Sequence, residues 1–229
     1  MILLCYKKPT NLNFALKYII FCTFLFLFFG HAQQSGPFQD EVISIQKKYD
    51  RLWDPSKTTF VFTGSSSIRM WTNINDAFPE YQVINSGFGG SKSSDLLLYT
   101  NELILKYKPK KVFIYEGDND IVAKVQTKDI LKNTRAIIDR IKANDPKTEI
   151  ILISAKPSIA RWRQRNKYKK LNRGFEQLSK RDYTIRYANV WDAMLNKNKV
   201  RRDIFLRDGL HMNSKGYDLW LSVIMEHVK

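Results

Sequence analysis

Four short segments place polar side chains or glycines where turns are expected, and turns are where binding and catalytic groups concentrate. They are Gly64-Ser65-Ser66-Ser67, Gly87-Phe88-Gly89-Gly90, Gly117-Asp118-Asn119-Asp120 and Asp208-Gly209-Leu210-His211. A serine hydroxyl is a weak nucleophile and needs a base. Outside the N-terminal leader described below, the histidines are His211 and His227. His227, third from the end, suits the closing turn of a helix, where a cationic side chain meets the helix dipole favourably. That leaves His211 as the candidate base. Asp208 stands three residues earlier, a spacing at which a turn can set its carboxylate against the imidazole Nδ1. Such a contact fixes the tautomer and leaves Nε2 free to take a proton. An acyl transition state also needs donors aimed at its oxyanion. Gly90 can bring a backbone N–H close to a substrate, Asn119 offers a side-chain amide, and Ser66 N–H would open a helix. Taken singly, each segment has a plainer reading: a tight strand-to-helix turn, an Asx-type turn, a turn ahead of a helix. Their conjunction points to acyl transfer through a hydroxyl. A metal-dependent phosphoesterase built on Asp118, Asp120, Asp208 and His211 is the alternative, disfavoured because no other histidine lies nearby in sequence.

These turns must be held by something, and the pattern between them says what. Residues 38–53 carry apolar positions at helical spacing. Short apolar runs at 58–64, 81–87, 110–120, 148–157 and 183–192 read as strands. Residues 94–107, 127–144 and 165–180 read as helices, the second stopped by Asp145-Pro146. A last helix follows Asn213, a suitable N-cap. Strands alternating with helices imply βαβ units, a parallel sheet covered on both faces, and an α/β fold of the three-layer αβα sandwich type with five strands. In such sheets ligands sit beyond the carboxyl ends of the strands. Three of the four polar turns follow a strand, and the fourth precedes the last helix.

In this order, the four segments resemble the blocks that define the SGNH (GDSL-type) hydrolase family. FTGSSSI resembles the first block and aligns Ser66, not Ser65 or Ser67, with the nucleophile. INSGFGGS resembles the second, as in the platelet-activating-factor acetylhydrolase-like branch, and aligns Gly90 with an oxyanion donor. EGDND matches the third, placing Asn119 as the amide donor, and DGLHMN matches the block that supplies Asp208 and His211. The resemblance spans residues 58–217. It implies a flavodoxin-like sheet and cofactor-free carboxylic ester hydrolysis by a Ser66-His211-Asp208 triad, with Ser66 N–H, Gly90 and Asn119 as the oxyanion hole. One position departs from it: the family's aspartate before the nucleophile is Ser65 here. The same fold without turnover would be a glycan- or headgroup-binding module, and the same triad with a sugar acceptor would be an O-acyltransferase.

Residues 1–32 read as a signal peptide, with 33–229 as the hydrolase domain. Lys7, Lys8 and Lys17 lead into an apolar run at 18–29 that ends in Gly30-His31-Ala32, a small-x-small cleavage pattern. That run is short of the roughly 20 residues of a membrane span; an uncleaved anchor is the alternative. Export to the periplasm or the exterior is expected. Both cysteines, Cys5 and Cys22, lie in the leader, so the domain is left without disulfide, thiol nucleophile or cysteine metal site. With three lysines removed, 35 basic residues face 22 acidic ones, a net charge of +13. That balance suits peripheral attraction to anionic surfaces or acidic glycans. Nucleic acid is not expected, because the basic residues are dispersed and the chain reads as exported.

Substrate contacts are sought where basic and aromatic residues flank the polar turns. Arg69 and Trp71 follow the serine cluster, and Arg161 and Trp162 follow the fourth strand; charge and stacking would suit an anionic or sugar-like group. The bland reading of the latter pair is a solvated basic loop anchored by one tryptophan. No long apolar insertion resembles a lipase lid, so short acyl groups such as acetyl on a glycan are expected.

Overall fold

The computed structural model describes residues 36–228, so the expected leader lies outside the described residues. The first helix, α1 (Gln39–Tyr49), occupies the segment expected for it and buries Val42 and Tyr49. Five strands follow: β1 (Thr59–Gly64), β2 (Gln82–Gly87), β3 (Lys111–Tyr115), β4 (Glu149–Ile153) and β5 (Ile185–Ala188). They form one sheet in the order β2-β1-β3-β4-β5, every pairing parallel. Parallel strands need crossovers of a dozen residues or more, usually helical, and the chain supplies them.

Side chains alternate across the sheet with the period of two that a strand imposes. Val61, Val112, Ile114, Ile150 and Leu152 point to one face and Phe60, Phe62, Phe113, Ile151 and Ile153 to the other. The first face is covered by α1, α3 (Ser93–Leu98), α4 (Thr100–Leu103), α5 (Asp118–Val122), α6 (Thr127–Asn144) and α7 (Arg165–Ser179). The second is covered by α2 (Ser66–Arg69), α8 (Val190–Ala193) and α9 (Ser214–Met225). The result is a three-layer αβα sandwich with two apolar cores.

Three elements differ from expectation. The helix expected over 94–107 breaks into α3, α4 and a 3₁₀ turn, Leu105–Tyr107. At the break, the Thr100 hydroxyl donates to the carbonyls of Leu96 (2.9 Å) and Leu97 (3.0 Å), back-bonding of the kind that bends helices. The fifth strand is four residues long, because Asn189 caps α8 by accepting the Asp192 N–H (3.3 Å). A two-stranded hairpin, β6 (Leu195–Asn196) and β7 (Lys199–Val200), follows; its turn residues Lys197 and Asn198 have φ of 46° and 64°, as primed hairpin turns require. The last helix begins as expected, with the Asn213 side chain accepting the Gly216 N–H (3.2 Å).

Candidate active site

β1 delivers the serine cluster to the carboxyl edge. Its last residue, Gly64, has φ of +130°, and a Cβ there would lie 1.9 Å from the Tyr115 carbonyl of the neighbouring strand. Only glycine lets the chain turn this tightly against β3. Ser65 N–H then donates to that same carbonyl (3.2 Å), and Ser65 precedes the single turn of α2. Ser65 and Ser67 are buried, while Ser66 keeps solvent access. Its Oγ lies 3.0 Å from His211 Nε2.

His211 is carried by a loop tied down at several points. Its carbonyl accepts the Leu206 N–H (2.8 Å), and Gly209, at φ +62°, accepts the Ala160 N–H through its carbonyl (3.0 Å). Asp208 Oδ2 lies 2.6 Å from His211 Nδ1, and its Oδ1 accepts the N–H groups of Leu210 (2.9 Å) and His211 (3.0 Å). Burial pushes the Asp208 carboxyl up, but the Leu210 N–H, the imidazole and the His211 N–H outweigh it and hold it down at about 2. The carboxylate is therefore ionised at neutral pH and suited to fix Nδ1–H, leaving Nε2 facing the serine.

Gly90 and Asn119 stand after β2 and β3, the two neighbours of β1 in the sheet. Gly90 has φ of +81° and is exposed. Asn119 Nδ2 donates to the Ser91 carbonyl (2.9 Å), one residue from Gly90, and its Oδ1 accepts from Arg161 Nη2 (3.1 Å). Among the described residues, the N–H groups of Ser66 and Gly90 have no protein acceptor. Serine, imidazole and carboxylate are thus aligned for proton transfer, with free N–H donors on the adjoining loops. This is the equipment of acyl transfer.

A model of the GDSL-like lipase/acylhydrolase family matches residues 57–219. The chain belongs to that family. As a member of that family it is a carboxylic ester hydrolase of the SGNH type. Solved structures with the same fold include a Streptococcus pneumoniae protein described as a platelet activating factor, with TM-score 0.72 at 22% identity, covering 94% of this chain and 99% of that one. An acylhydrolase from Bacteroides fragilis follows at TM-score 0.66 and 24% identity, over 80% and 92% of the two chains. An acetylxylan esterase from Geobacillus stearothermophilus superposes at TM-score 0.63 with 15% identity, over 74% and 93%. A curated relative, the N-acylneuraminate cytidylyltransferase of Escherichia coli O18:K1:H7, is 30% identical over 197 residues, which are 81% of this chain. The chain spans 43% of that relative's length.

In the esterase, the flanking residues expected at the substrate have varied placements. Trp71 is 3% exposed and stacks on Tyr217 at 5.2 Å inside the second core, so it is a packing residue and not a substrate contact. The chain leaves α2 after Arg69 and turns inward. Arg69 is exposed, pairs with Glu41 of α1 (3.3 Å) and lies against Gly89. Glu41 also accepts the Gly89 N–H (3.0 Å), bracing the loop that carries Gly90. Trp162 stacks on Trp191, rings 6.1 Å apart. Arg161 is mostly buried and bonded to Asp118 and Asn119.

The metal-dependent alternative loses its ligands to other partners. Asp118 is occupied by Arg161, Tyr115 and Tyr168, and Asp120 accepts from the Ser93 N–H and hydroxyl (2.6 Å for the latter). Sequence reasoning passed over Lys156, which is 1% exposed and donates to the Leu210 carbonyl (2.8 Å). Its signal was position: a cation three residues past the end of β4, where the chain is still buried.

Proposed function

We propose that the esterase works by double displacement on Ser66. His211, aligned by Asp208, takes the Ser66 proton as Oγ attacks the ester carbonyl carbon. The oxyanion is met by the N–H groups of Ser66 and Gly90 and by the Asn119 amide. His211 then gives its proton to the leaving alcohol as the carbon–oxygen bond breaks. A water, deprotonated by His211, then attacks the acyl-enzyme carbonyl; the carbon–Oγ bond breaks as His211 returns that proton to Ser66 Oγ, releasing the acid and free Ser66. The observation that carries this reading is the pair of contacts through one imidazole, 3.0 Å to Ser66 Oγ and 2.6 Å to Asp208 Oδ2.

The transferred acyl group in this reading is short, acetyl above all, and the leaving alcohol is a sugar. Similar structures are named for acetylated xylan and xylooligosaccharide. The curated relative is named for N-acylneuraminate, a carboxylated sugar, which agrees with the basic charge balance of this chain. The leader's lysines and apolar run support export. A panel of acetylated neutral and acidic sugars, with aryl esters of two to twelve carbons, tests the proposal. Acetyl esters should be cleaved fastest. Ser66→Ala should lose activity and labelling by a fluorophosphonate, whereas Ser65→Ala and Ser67→Ala should keep both. Full turnover by Ser66→Ala would end this reading.

A further inference from the structure

The Asp118 carboxylate is 4% exposed and is the centre of a charged cluster beneath the carboxyl edge. The Tyr115 hydroxyl donates to its Oδ2 (2.9 Å) and the Tyr168 hydroxyl to its Oδ1. Arg161 Nη1 donates to Oδ1, and Lys156 Nζ lies 3.6 Å from Oδ2. Burial pushes the Asp118 carboxyl up, but the charges of Lys156 and Arg161 outweigh it, so the group stays ionised. Each cation has a second bond. Arg161 Nη2 donates to Asn119 Oδ1 (3.1 Å), and Lys156 Nζ to the carbonyl of Leu210 (2.8 Å), the residue before His211.

The chemistry of these partners decides how Asn119 is turned. A guanidinium can only donate, and the Ser91 carbonyl can only accept. The amide end facing Arg161 is therefore oxygen, and the end facing Ser91 is nitrogen. Of the two N–H groups, one is spent on Ser91 and the other remains for an oxyanion. A cation on the amide oxygen also polarises the remaining N–H. Lys156 acts likewise on the peptide that leads into His211.

We propose that Arg161 and Lys156, anchored on Asp118, are positioning residues of this esterase: Arg161 fixes Asn119 as an N–H donor, and Lys156 fixes the loop that presents His211. The inference rests on the Ser66 mechanism and the oxyanion role of Asn119 above. It replaces the expectation that Arg161 meets the substrate's charge.

The test compares Arg161→Lys, Arg161→Ala and Lys156→Met with the unaltered enzyme on phenyl acetate, which is neutral, and 4-acetoxybenzoate, which is anionic. Arg161→Lys keeps a cation for Asp118 but cannot hold Asp118 and Asn119 together. It should unfold near the native temperature while kcat falls about 100-fold on both esters, the scale of a lost oxyanion donor, with KM moving by about twofold or less. Lys156→Met should lower kcat on both esters in the same way. Guanidinium ion should restore part of the kcat of Arg161→Ala. On an Asn119→Ala background, Arg161→Lys should cost little more, because the residue acts through that amide. Arg163→Ala, exposed and outside the cluster, should match the unaltered enzyme in kcat on both esters. The inference is overturned if folded Arg161→Lys keeps its kcat. It is equally overturned if only the KM for 4-acetoxybenzoate rises. Should Ser66→Ala prove active, the mechanism itself fails; should Ser66→Ala be dead and Arg161→Lys unimpaired, only the positioning role fails.

Discussion

Three consecutive serines differ in chemistry because one turn of helix gives them different surroundings. Ser65 and Ser67 face inward, and Ser66 alone combines solvent access with an imidazole at 3.0 Å. At this scale the residue with the most informative charge is Asp208. Its carboxyl is held at about 2 in the folded chain against an ordinary value near 3.8. A depressed folded value means that the unfolded chain protonates first as the pH falls. The carboxylate thus contributes stability above about pH 4, and that contribution disappears as the pH drops from about 4 through 2. The group is half exposed, so solvent screening limits the effect to on the order of 1 kcal/mol or less. Asp208→Asn keeps the oxygen that accepts the two backbone N–H groups and removes only the charge. Urea unfolding of both proteins from pH 2 to 7 should show the native form ahead near neutrality and the two converging in acid; a gap that widens toward pH 2 would contradict this. The same variant should lose on the order of ten-thousandfold in kcat, because the imidazole tautomer is no longer fixed.

At the scale of elements, what was legible were features with a period. The apolar runs of β1, β3 and β4 and the 18-residue pattern of α6 announce themselves, since burial on both faces of a parallel strand, or on one face of a helix, requires them. The four polar turns were legible for the same reason, as interruptions of those patterns. What was not legible depends on where a side chain turns after its element ends. Trp71 lies five residues from Ser66 in sequence and reads as its neighbour, yet α2 stops at Arg69 and the indole enters the core. Arg161 reads as a substrate contact or part of a solvated basic loop, and Lys156 draws no reading of its own, because nothing local reveals that Asp118, roughly 40 residues earlier, is the partner of both. Glu116, the residue after β3, is similar: it is 3% exposed, accepts the Ser91 hydroxyl on Oε1 (2.5 Å), and its Oε2 is buried without a partner. Burial pushes its carboxyl well above the ordinary range, with Asp120 and Asp95 adding to the rise against the Ser91 hydroxyl and the Gly117 N–H. Here the sign is opposite to that of Asp208. A raised folded value means that stability is full below the unfolded value, near 4.5, and is lost as the pH climbs toward the folded one. Glu116→Gln removes the titration and keeps the acceptor for Ser91. Relative to the native chain its stability should rise progressively between pH 5 and 8, as the buried native carboxyl is driven toward its disfavoured charged form. Thermal unfolding across that range reads the trend, and a relative loss toward pH 8 would refute it.

At the scale of the whole molecule, the strand order brings chemistry from four distant segments to one edge, and charge is distributed around that edge unevenly. The alternation of strand and helix patterns predicts the parallel five-stranded sheet that the structure has; the charge balance is read directly from the sequence, but where the basic side chains stand relative to the carboxyl edge is not. Helix α7 starts just after Arg161, beside Asn119 and Asp118. Across this helix and its two flanks, residues 163–180, the exposed basic residues are Arg163, Arg165, Lys167, Lys169, Lys170, Arg173 and Lys180, and the acidic partner within that stretch is Glu176. A one-signed field beside a reaction edge raises the local concentration of oppositely charged substrates, and added salt removes that advantage once the screening length falls to a few ångströms. An esterase built this way should favour anionic esters by encounter, not by a dedicated contact. The expected outcome is a kcat/KM for 4-acetoxybenzoate that falls about three- to tenfold between low and roughly 0.5 M salt, while that for phenyl acetate stays level. Replacing Lys167, Lys169 and Lys170 together with Gln should lower the low-salt value for the anionic ester and flatten its salt response. Because these side chains make no contact with Ser66, His211 and Asp208 or with the Asp118 cluster, kcat at saturation should not change. Equal salt responses for the two esters would show that the basic helix does not guide substrate.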